Sequence, residues 1–196
     1  MAADPALVHC PDGMSDVESA MRSNASGSSI TIVLMGVSGV GKSTVMAALE
    51  RRMTARFAEG DDFHPESNVR LMRAGTALTD EDRWPWLRAI AEWIGGCERG
   101  GVDGVVTCSA LRRRYRDVLR DGHPSVQFVH LTLGPAALEG RLASREGHYM
   151  PASLLASQLE TLEPLGSDEP GFEIDADRSP SEIATAIARW VARIPR

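Results

Sequence analysis

Gly36-Val37-Ser38-Gly39-Val40-Gly41-Lys42-Ser43 is the stretch whose reading decides the fold. It fits G-x-x-x-x-G-K-[S/T], a loop whose glycines let successive backbone N–H groups turn inward toward phosphate oxygens. Lys42 is the only lysine in the chain; the 20 other members of the 21 Lys and Arg residues are arginines. A compact ammonium at this position reaches β- and γ-phosphates, and the Ser43 hydroxyl can ligate Mg²⁺. The flanks match what such a loop needs. The run 30–35 (I-T-I-V-L-M) is short, apolar and partly β-branched, so it predicts a buried strand. Residues 44–53 predict a helix with Val45, Ala48, Leu49 and Met53 on one face, whose positive dipole end would point at the bound phosphate.

Outward from this loop, strand-like and helix-like segments alternate. That pattern predicts an α/β fold with a mainly parallel sheet between helices. Strands are expected at 30–35, 56–59, 104–108, 126–132 and 172–175. Helices are expected at 44–53, 65–74, 83–94, 111–120, 135–143, 151–162 and 180–192. Gly75 suits the residue after a helix end, and Pro85 the first turn of the helix starting near Arg83. Residues 1–29 are polar, end in Ser23-Asn24-Ala25-Ser26-Gly27-Ser28-Ser29, and carry no apolar core of a secretory signal. They are expected to be a disordered extension, leaving 30–196 as one domain.

The gross numbers narrow the function classes. A chain of 196 residues with 43% hydrophobic residues has ordinary globular composition. Its formal net charge of −6 argues against nucleic acid as a partner. No uninterrupted apolar run is long enough to span a membrane. Cys10, Cys97 and Cys108 are few, odd in number and widely spaced, which suggests a reducing cytoplasm and neither a disulfide framework nor a metal site. With one lysine, already used, the chain has no N-K-x-D element to read guanine.

Four further segments carry specific information. They are Glu59-Gly60-Asp61-Asp62-Phe63-His64-Pro65 with Asn68, and Leu78-Thr79-Asp80-Glu81-Asp82-Arg83-Trp84-Pro85-Trp86-Leu87. Then come Cys108-Ser109-Ala110-Leu111-Arg112 with Tyr115-Arg116-Asp117, and Arg141 and Arg145 with Gly147-His148-Tyr149-Met150-Pro151, Ser157-Gln158 and Thr161-Leu162-Glu163-Pro164-Leu165. Together with the loop, in this order, they closely resemble the gluconokinases of the small P-loop kinase group, related in fold to shikimate and adenylate kinases. The resemblance implies a three-layer P-loop NTPase fold. It consists of a five-stranded parallel sheet, a helical substrate-binding region and a mobile lid. It implies ATP-dependent phosphorylation of D-gluconate at the 6-hydroxyl, with Mg²⁺, in a cytoplasmic enzyme that is a homodimer.

On that pattern Lys42, Asp61 and Arg145 are the catalytic candidates. Asp61 ends the second strand, across the sheet mouth from the loop, and can orient the hydroxyl and accept its proton; Asp62 is the fallback. A solvated turn is the ordinary use of such an acidic pair. Gly36, Val37, Ser38, Gly39, Val40, Gly41, Lys42, Ser43, Thr44 and Arg141 are the ATP-binding candidates, with adenine near residues 177–180. Gluconate needs a cation for its carboxylate and hydrogen-bonding groups along its hydroxyls. Arg83, Arg112 and Arg116 are candidates for the first, His64 and Asn68 for the second, with His148 added by resemblance. Arg70 and Arg73 are weaker, at least one arginine should be a solvated surface charge, and His64 also reads as a helix-start residue. Trp84 and Trp86 are expected to pack rather than stack on an acyclic polyol. The third strand ends without an acid, which leaves Ser43 as the metal candidate, and Cys108 is expected to be a packing residue. Two readings stay open beside this one: a kinase of the same fold acting on another hydroxylated acid such as shikimate, and a nucleotide-binding regulatory module without turnover.

Overall fold

The computed structural model describes residues 28–143 and 152–196. In chain order the described elements are β1 (Thr31–Met35), α1 (Lys42–Glu50), β2 (Arg56–Ala58), a 3₁₀ turn (Gly60–Phe63), α2 (Glu66–Arg73), α3 (Asp80–Arg99), β3 (Gly104–Thr107), α4 (Arg113–Arg120), β4 (Val126–Thr132), α5 (Pro135–Ala143), α6 (Ala152–Thr161), β5 (Gly171–Asp175) and α7 (Pro180–Val191). The five strands form one sheet in the order β2-β3-β1-β4-β5, and every neighbouring pair is parallel. All five expected strands are present, each within about a residue of its predicted bounds.

Side chains alternate across β1. Ile32 and Leu34 enter one core with Val45, Leu49, Ile183 and Ile187 of α1 and α7. Val33 and Met35 enter the other with Leu87, Ile90 and Ile94 of α3 and Tyr115 and Leu119 of α4. Both sheet faces are thus covered, which is why β1 reads as an unbroken apolar run from Ile32 to Met35 rather than an alternating one.

Two helices, α3 and α1, depart most from the sequence expectation. α3 begins at Asp80 instead of near Arg83, because Thr79 and Asp82 form a reciprocal capping box. Three acids in its first turn also favour the positive dipole end. Pro85 therefore lies in the second turn, where it leaves the carbonyl of the exposed Glu81 without a helical donor. The same helix runs through Gly95-Gly96 to Arg99, held by burial of Ile94 and Cys97. α1 also starts and stops earlier than expected, at Lys42 and Glu50. Gly75 has φ +72° just past α2, as expected of a helix-ending glycine.

Gly60 is a close-approach glycine. A Cβ there would sit 1.9 Å from the Thr107 carbonyl oxygen. Its N–H donates to Thr107 Oγ1 at 3.0 Å, Thr107 Oγ1 donates to Glu59 at 2.5 Å, and Trp86 Nε1 donates to the Gly60 carbonyl at 2.6 Å. These bonds hold the turn that carries Asp61. Gly60→Ala is expected to lower the melting temperature by about 5 °C and to reduce activity, because overpacking of this kind costs roughly 1–3 kcal/mol. Differential scanning calorimetry beside a turnover assay checks it.

Candidate active site

The ends of three neighbouring strands build the site. The phosphate loop follows β1, Ser109 follows β3, and Asp61 follows β2. Carboxyl ends of parallel strands are where open α/β sheets bind ligands. Gly36, Gly39 and Gly41 have φ of +133°, +82° and +107°, which non-glycine residues rarely adopt. At Gly36 a Cβ would also lie 2.7 Å from the Leu131 carbonyl oxygen. Val37 and Val40 are buried in the core. They anchor the loop from below, so its curl does not depend on a ligand. Lys42 opens α1, and its Nζ donates to the carbonyls of Gly36 at 3.0 Å and Val37 at 3.1 Å. Ser43 and Thr44 are exposed at the same helix start.

Beside the loop lies a cleft of about 120 Å³ lined by Ser38, Lys42, Asp61, His64, Arg83 and Ser109 among others. Asp61 is exposed at its wall. His64 stacks on Trp86 with ring centroids 4.1 Å apart and planes 13° from parallel. Burial, and secondarily the charge of Arg83, push its imidazole down to about 4, so it is neutral near pH 7. Trp86 is buried and Trp84 packs edge-on against Tyr115, so both tryptophans pack, as expected.

Arg83 lines this cleft and also an adjoining one formed with Asp80 and Arg112. Asp80 is the centre of a cationic group. It lies 3.8 Å from Arg83, 3.6 Å from Arg112, in close contact with Arg114, and accepts a short hydrogen bond from the Tyr115 hydroxyl. That hydroxyl bond first, with the arginines, holds the Asp80 carboxyl below the usual carboxylate range. Three guanidinium groups thus surround one carboxylate, and Arg83 and Arg112 reach the adjoining cleft beside Asp80 and Glu81, where a guanidinium fork is suited to an anionic group.

Arg141 reaches over the other side of the loop. It donates to the carbonyls of Val40 at 3.0 Å and Ala176 at 2.6 Å. Together with Gly39, Gly41, Thr44, Arg178 and Pro180 it lines a separate cleft of about 240 Å³. The chain segment expected near adenine is therefore beside the loop.

The structure corrects two candidate substrate residues. Arg116 is fully buried. Its guanidinium donates to Glu169 at 2.6 and 2.8 Å and to the carbonyls of Ala110, Glu163 and Pro164. Every direction of its fork is occupied, so it cannot take a substrate carboxylate. Asn68 is 2% exposed; its amide donates to the Asp82 carbonyl at 2.7 Å and does not line the cleft. Arg112 lines only the adjoining cleft. Arg70 pairs with Glu66 on the surface. Arg145, Gly147 and His148 lie outside the described residues. Cys108 is buried and burial pushes its thiol up to about 12, which removes it as a nucleophile.

Gln158 was part of the quoted pattern, but its contact was not foreseen. From α6 its Oε1 accepts the Ser38 N–H at 2.7 Å, joining that helix to the phosphate loop. A polar residue on an otherwise apolar stripe (Leu155, Leu159, Leu162) was the available signal.

A family profile described as "AAA domain" matches residues 31–165. A gluconokinase of Gluconobacter oxydans is 45% identical over 158 residues, covering 81% of this chain and 89% of that protein. The chain belongs to the gluconokinase family. A gluconokinase structure from Sinorhizobium meliloti is 42% identical with a TM-score of 0.75, over 85% of this chain and 94% of that one. An unliganded sugar kinase from Janibacter is 47% identical with a TM-score of 0.80, over 85% and 96%. The four quoted segments and the loop of this gluconokinase-family chain fall within the matched region, and the geometry brings four of its parts (Lys42, Asp61, His64 and Arg83) to one cleft.

Proposed function

We propose that the chain transfers the γ-phosphoryl group of ATP to the 6-hydroxyl of D-gluconate, giving 6-phosphogluconate and ADP. The observation that carries this reading is the placement of Asp61, His64 and Arg83 in the same cleft as Lys42 and Ser38. The triphosphate lies along the N–H groups of residues 36–44, with Arg141 on the nucleotide side. The acceptor lies against Asp61, its carboxylate toward Arg83 and Arg112. Asp61 accepts the hydroxyl proton as the 6-oxygen bonds to the γ-phosphorus and the bond from that phosphorus to the β,γ-bridging oxygen breaks. Lys42 compensates charge building on the phosphoryl oxygens, and the proton leaves Asp61 to solvent. Arg145 and His148 belong to this proposal through the family pattern alone, as a lid that covers the phosphoryl group and excludes water.

Mg²⁺ suits this donor set. The described residues hold no cluster of three or more His, Cys, Asp or Glu that would cage a metal. Mg²⁺ commonly needs only one or two protein oxygens, the rest being phosphate and water. Ser43 would hold it directly and Asp61 through water; bound there it neutralises phosphate charge. No described helix is long and apolar enough to cross a membrane. The described cysteines, Cys97 and Cys108, are free and buried, in keeping with a cytoplasmic enzyme. A homodimer completes the proposal, and sedimentation equilibrium checks it. Among the described residues, the exposed large apolar side chains are Leu159 and Val102.

Assay of the purified chain with Mg·ATP against gluconate, other sugar acids and shikimate tests the reading. Gluconate should give stoichiometric ADP and a 6-phosphate ester by ³¹P NMR. Turnover of a different acceptor only, or ATP binding with no acceptor turned over, would defeat it. Asp61→Asn is expected to lower kcat about a hundredfold with KM for ATP little changed, the usual scale for loss of a general base. Steady-state kinetics with both substrates varied measures this.

A further inference from the structure

Burial keeps Asn68 from the substrate, and its contacts assign it another task. Its Nδ2 lies 2.7 Å from the Asp82 carbonyl oxygen and 3.4 Å from His64 Nδ1. A backbone carbonyl can only accept, so the nitrogen end of the amide must face Asp82. The same NH₂ group faces His64 with its other hydrogen. Nδ1 must then receive that hydrogen with its lone pair, in a long hydrogen bond, and the single proton of a neutral ring is left on Nε2.

The ring is also held in place. It stacks on Trp86, which is itself tied to the Gly60 carbonyl through Nε1 at 2.6 Å. Nε2 has no protein partner among the described residues. Since no described buried side-chain nitrogen or oxygen lacks a partner, Nε2 is reached from outside, and the cleft is the space that His64 lines. We propose that Asn68 is a positioning residue that fixes His64 as its Nε2–H tautomer, so that the ring presents one hydrogen-bond donor to an oxygen of the acceptor in the cleft. The proposal rests on the reading of that cleft as the gluconate site.

The charged groups around the ring agree with a neutral donor. Arg83 from α3 and Lys42 from α1 oppose a further cation, and Asp61 from the 3₁₀ turn is the one acid among the described residues that line the same cleft. Protonating Nδ1 would set its N–H against the N–H of Asn68. The imidazole, already driven down to about 4 by burial and then Arg83, therefore stays neutral through the physiological range. A polyol oxygen meets a donor whose strength does not vary with pH, and Asp61 is not drawn into an ion pair with an imidazolium.

Long-range ¹H–¹⁵N spectra of the full chain labelled at histidine test this, with His64→Gln identifying the signal. The wild type should show protonated Nε2 and bare Nδ1 from about pH 5.5 to 8, where an ordinary histidine would titrate near 6.5. Asn68→Asp places an acceptor at Nδ1. It should move the proton to Nδ1, return the titration to about 6.5 or above, and raise KM for gluconate about tenfold with kcat within about twofold. Asn68→Ala should give mixed tautomers and a smaller rise in KM. A wild-type ring protonated at Nδ1, or an Asn68→Ala enzyme with unchanged tautomer and KM, would overturn the inference. If Asn68→Asp fails to fold, the wild-type spectrum and Asn68→Ala still decide. A wild type with the predicted spectrum but no turnover of gluconate would defeat the acceptor assignment and leave the tautomer assignment standing.

Discussion

Lys42→Ala is expected to lower kcat by a few hundredfold to about a thousandfold while the melting temperature moves by only about 2 °C. The first number follows from where charge develops. In phosphoryl transfer the protein does little covalent chemistry, so groups aimed at the phosphoryl oxygens supply most of the rate, and removing one preorganised donor costs about 3–4 kcal/mol. Lys42 holds the loop's one side-chain cation, and its Nζ is poised by the carbonyls of Gly36 and Val37 at 3.0 and 3.1 Å. The second number follows from what holds the loop. Its shape rests on buried Val37 and Val40 and on the positive φ of its glycines, none of which the lysine supplies. Lys42→Arg is expected to be nearly as inactive, because a planar fork cannot replace a point charge inside a turn of this size. Single-turnover kinetics with calorimetry of Mg·ATP binding separates lost chemistry from lost affinity. Activity within tenfold of wild type would remove the loop from the mechanism.

What was legible beforehand divides along a physical line. Parallel strands covered on both faces are largely apolar, so I-T-I-V-L-M announced β1 unaided, and V-Q-F-V-H-L-T announced β4 by its apolar and β-branched residues despite Gln127 and His130. The phosphate loop was legible because glycine and lysine are required there for local reasons. The expected start of α3 near Arg83 rested on Pro85 alone, whereas the Thr79–Asp82 capping box is the local determinant. Its end was missed because Gly95-Gly96 looks like a stop, and only tertiary burial carries the helix past it. Arg112, Arg113, Arg114 and Arg116 are alike in sequence. Arg112 borders the adjoining cleft with Asp80, Arg113 pairs on the surface with Asp168, Arg114 pairs with Asp80, and Arg116 is interior. What separates Arg116 from the others is Glu169, 53 residues further along the chain. No local pattern encodes that. The same holds for Asn68, whose partner is a carbonyl 14 residues away.

Arg116→Ala is expected to lower stability by about 3–5 kcal/mol, the range for breaking a buried ion pair from one side. For a domain of this size that is a fall in melting temperature of about 10 °C. The penalty is chiefly the carboxylate of Glu169, with side chain 0% exposed, left in the interior without its partner. Three backbone carbonyls, of Ala110, Glu163 and Pro164, lose a donor as well. Replacing both members by apolar residues removes the stranded charge but not those carbonyls, so Arg116→Met with Glu169→Leu should recover only part of the loss. The pH dependence has a definite sign. Burial alone would raise the Glu169 carboxyl, but Arg116 and the Gly166 N–H outweigh it and the net shift is downward. A carboxyl lowered on folding gives stability that is present above its unfolded value, about 4.3, and is lost as pH falls through the folded value. In Arg116→Ala the main opposing group is gone and the Gly166 N–H remains as the direct hydrogen bond against burial, so the carboxyl takes up a proton at higher pH. The difference between wild type and variant is therefore greatest near neutrality and narrows toward pH 4. Thermal unfolding from pH 4 to 8, with KM for gluconate measured alongside, separates the two roles considered for this arginine. A substrate-binding arginine would raise KM and leave the melting temperature in place. A buried brace lowers the melting temperature with KM near the wild-type value. Ala110, whose carbonyl Arg116 holds, has a left-handed φ of +44° next to Ser109 of the cleft. Any residual change in kcat should therefore come from that strained turn relaxing rather than from lost contact with gluconate.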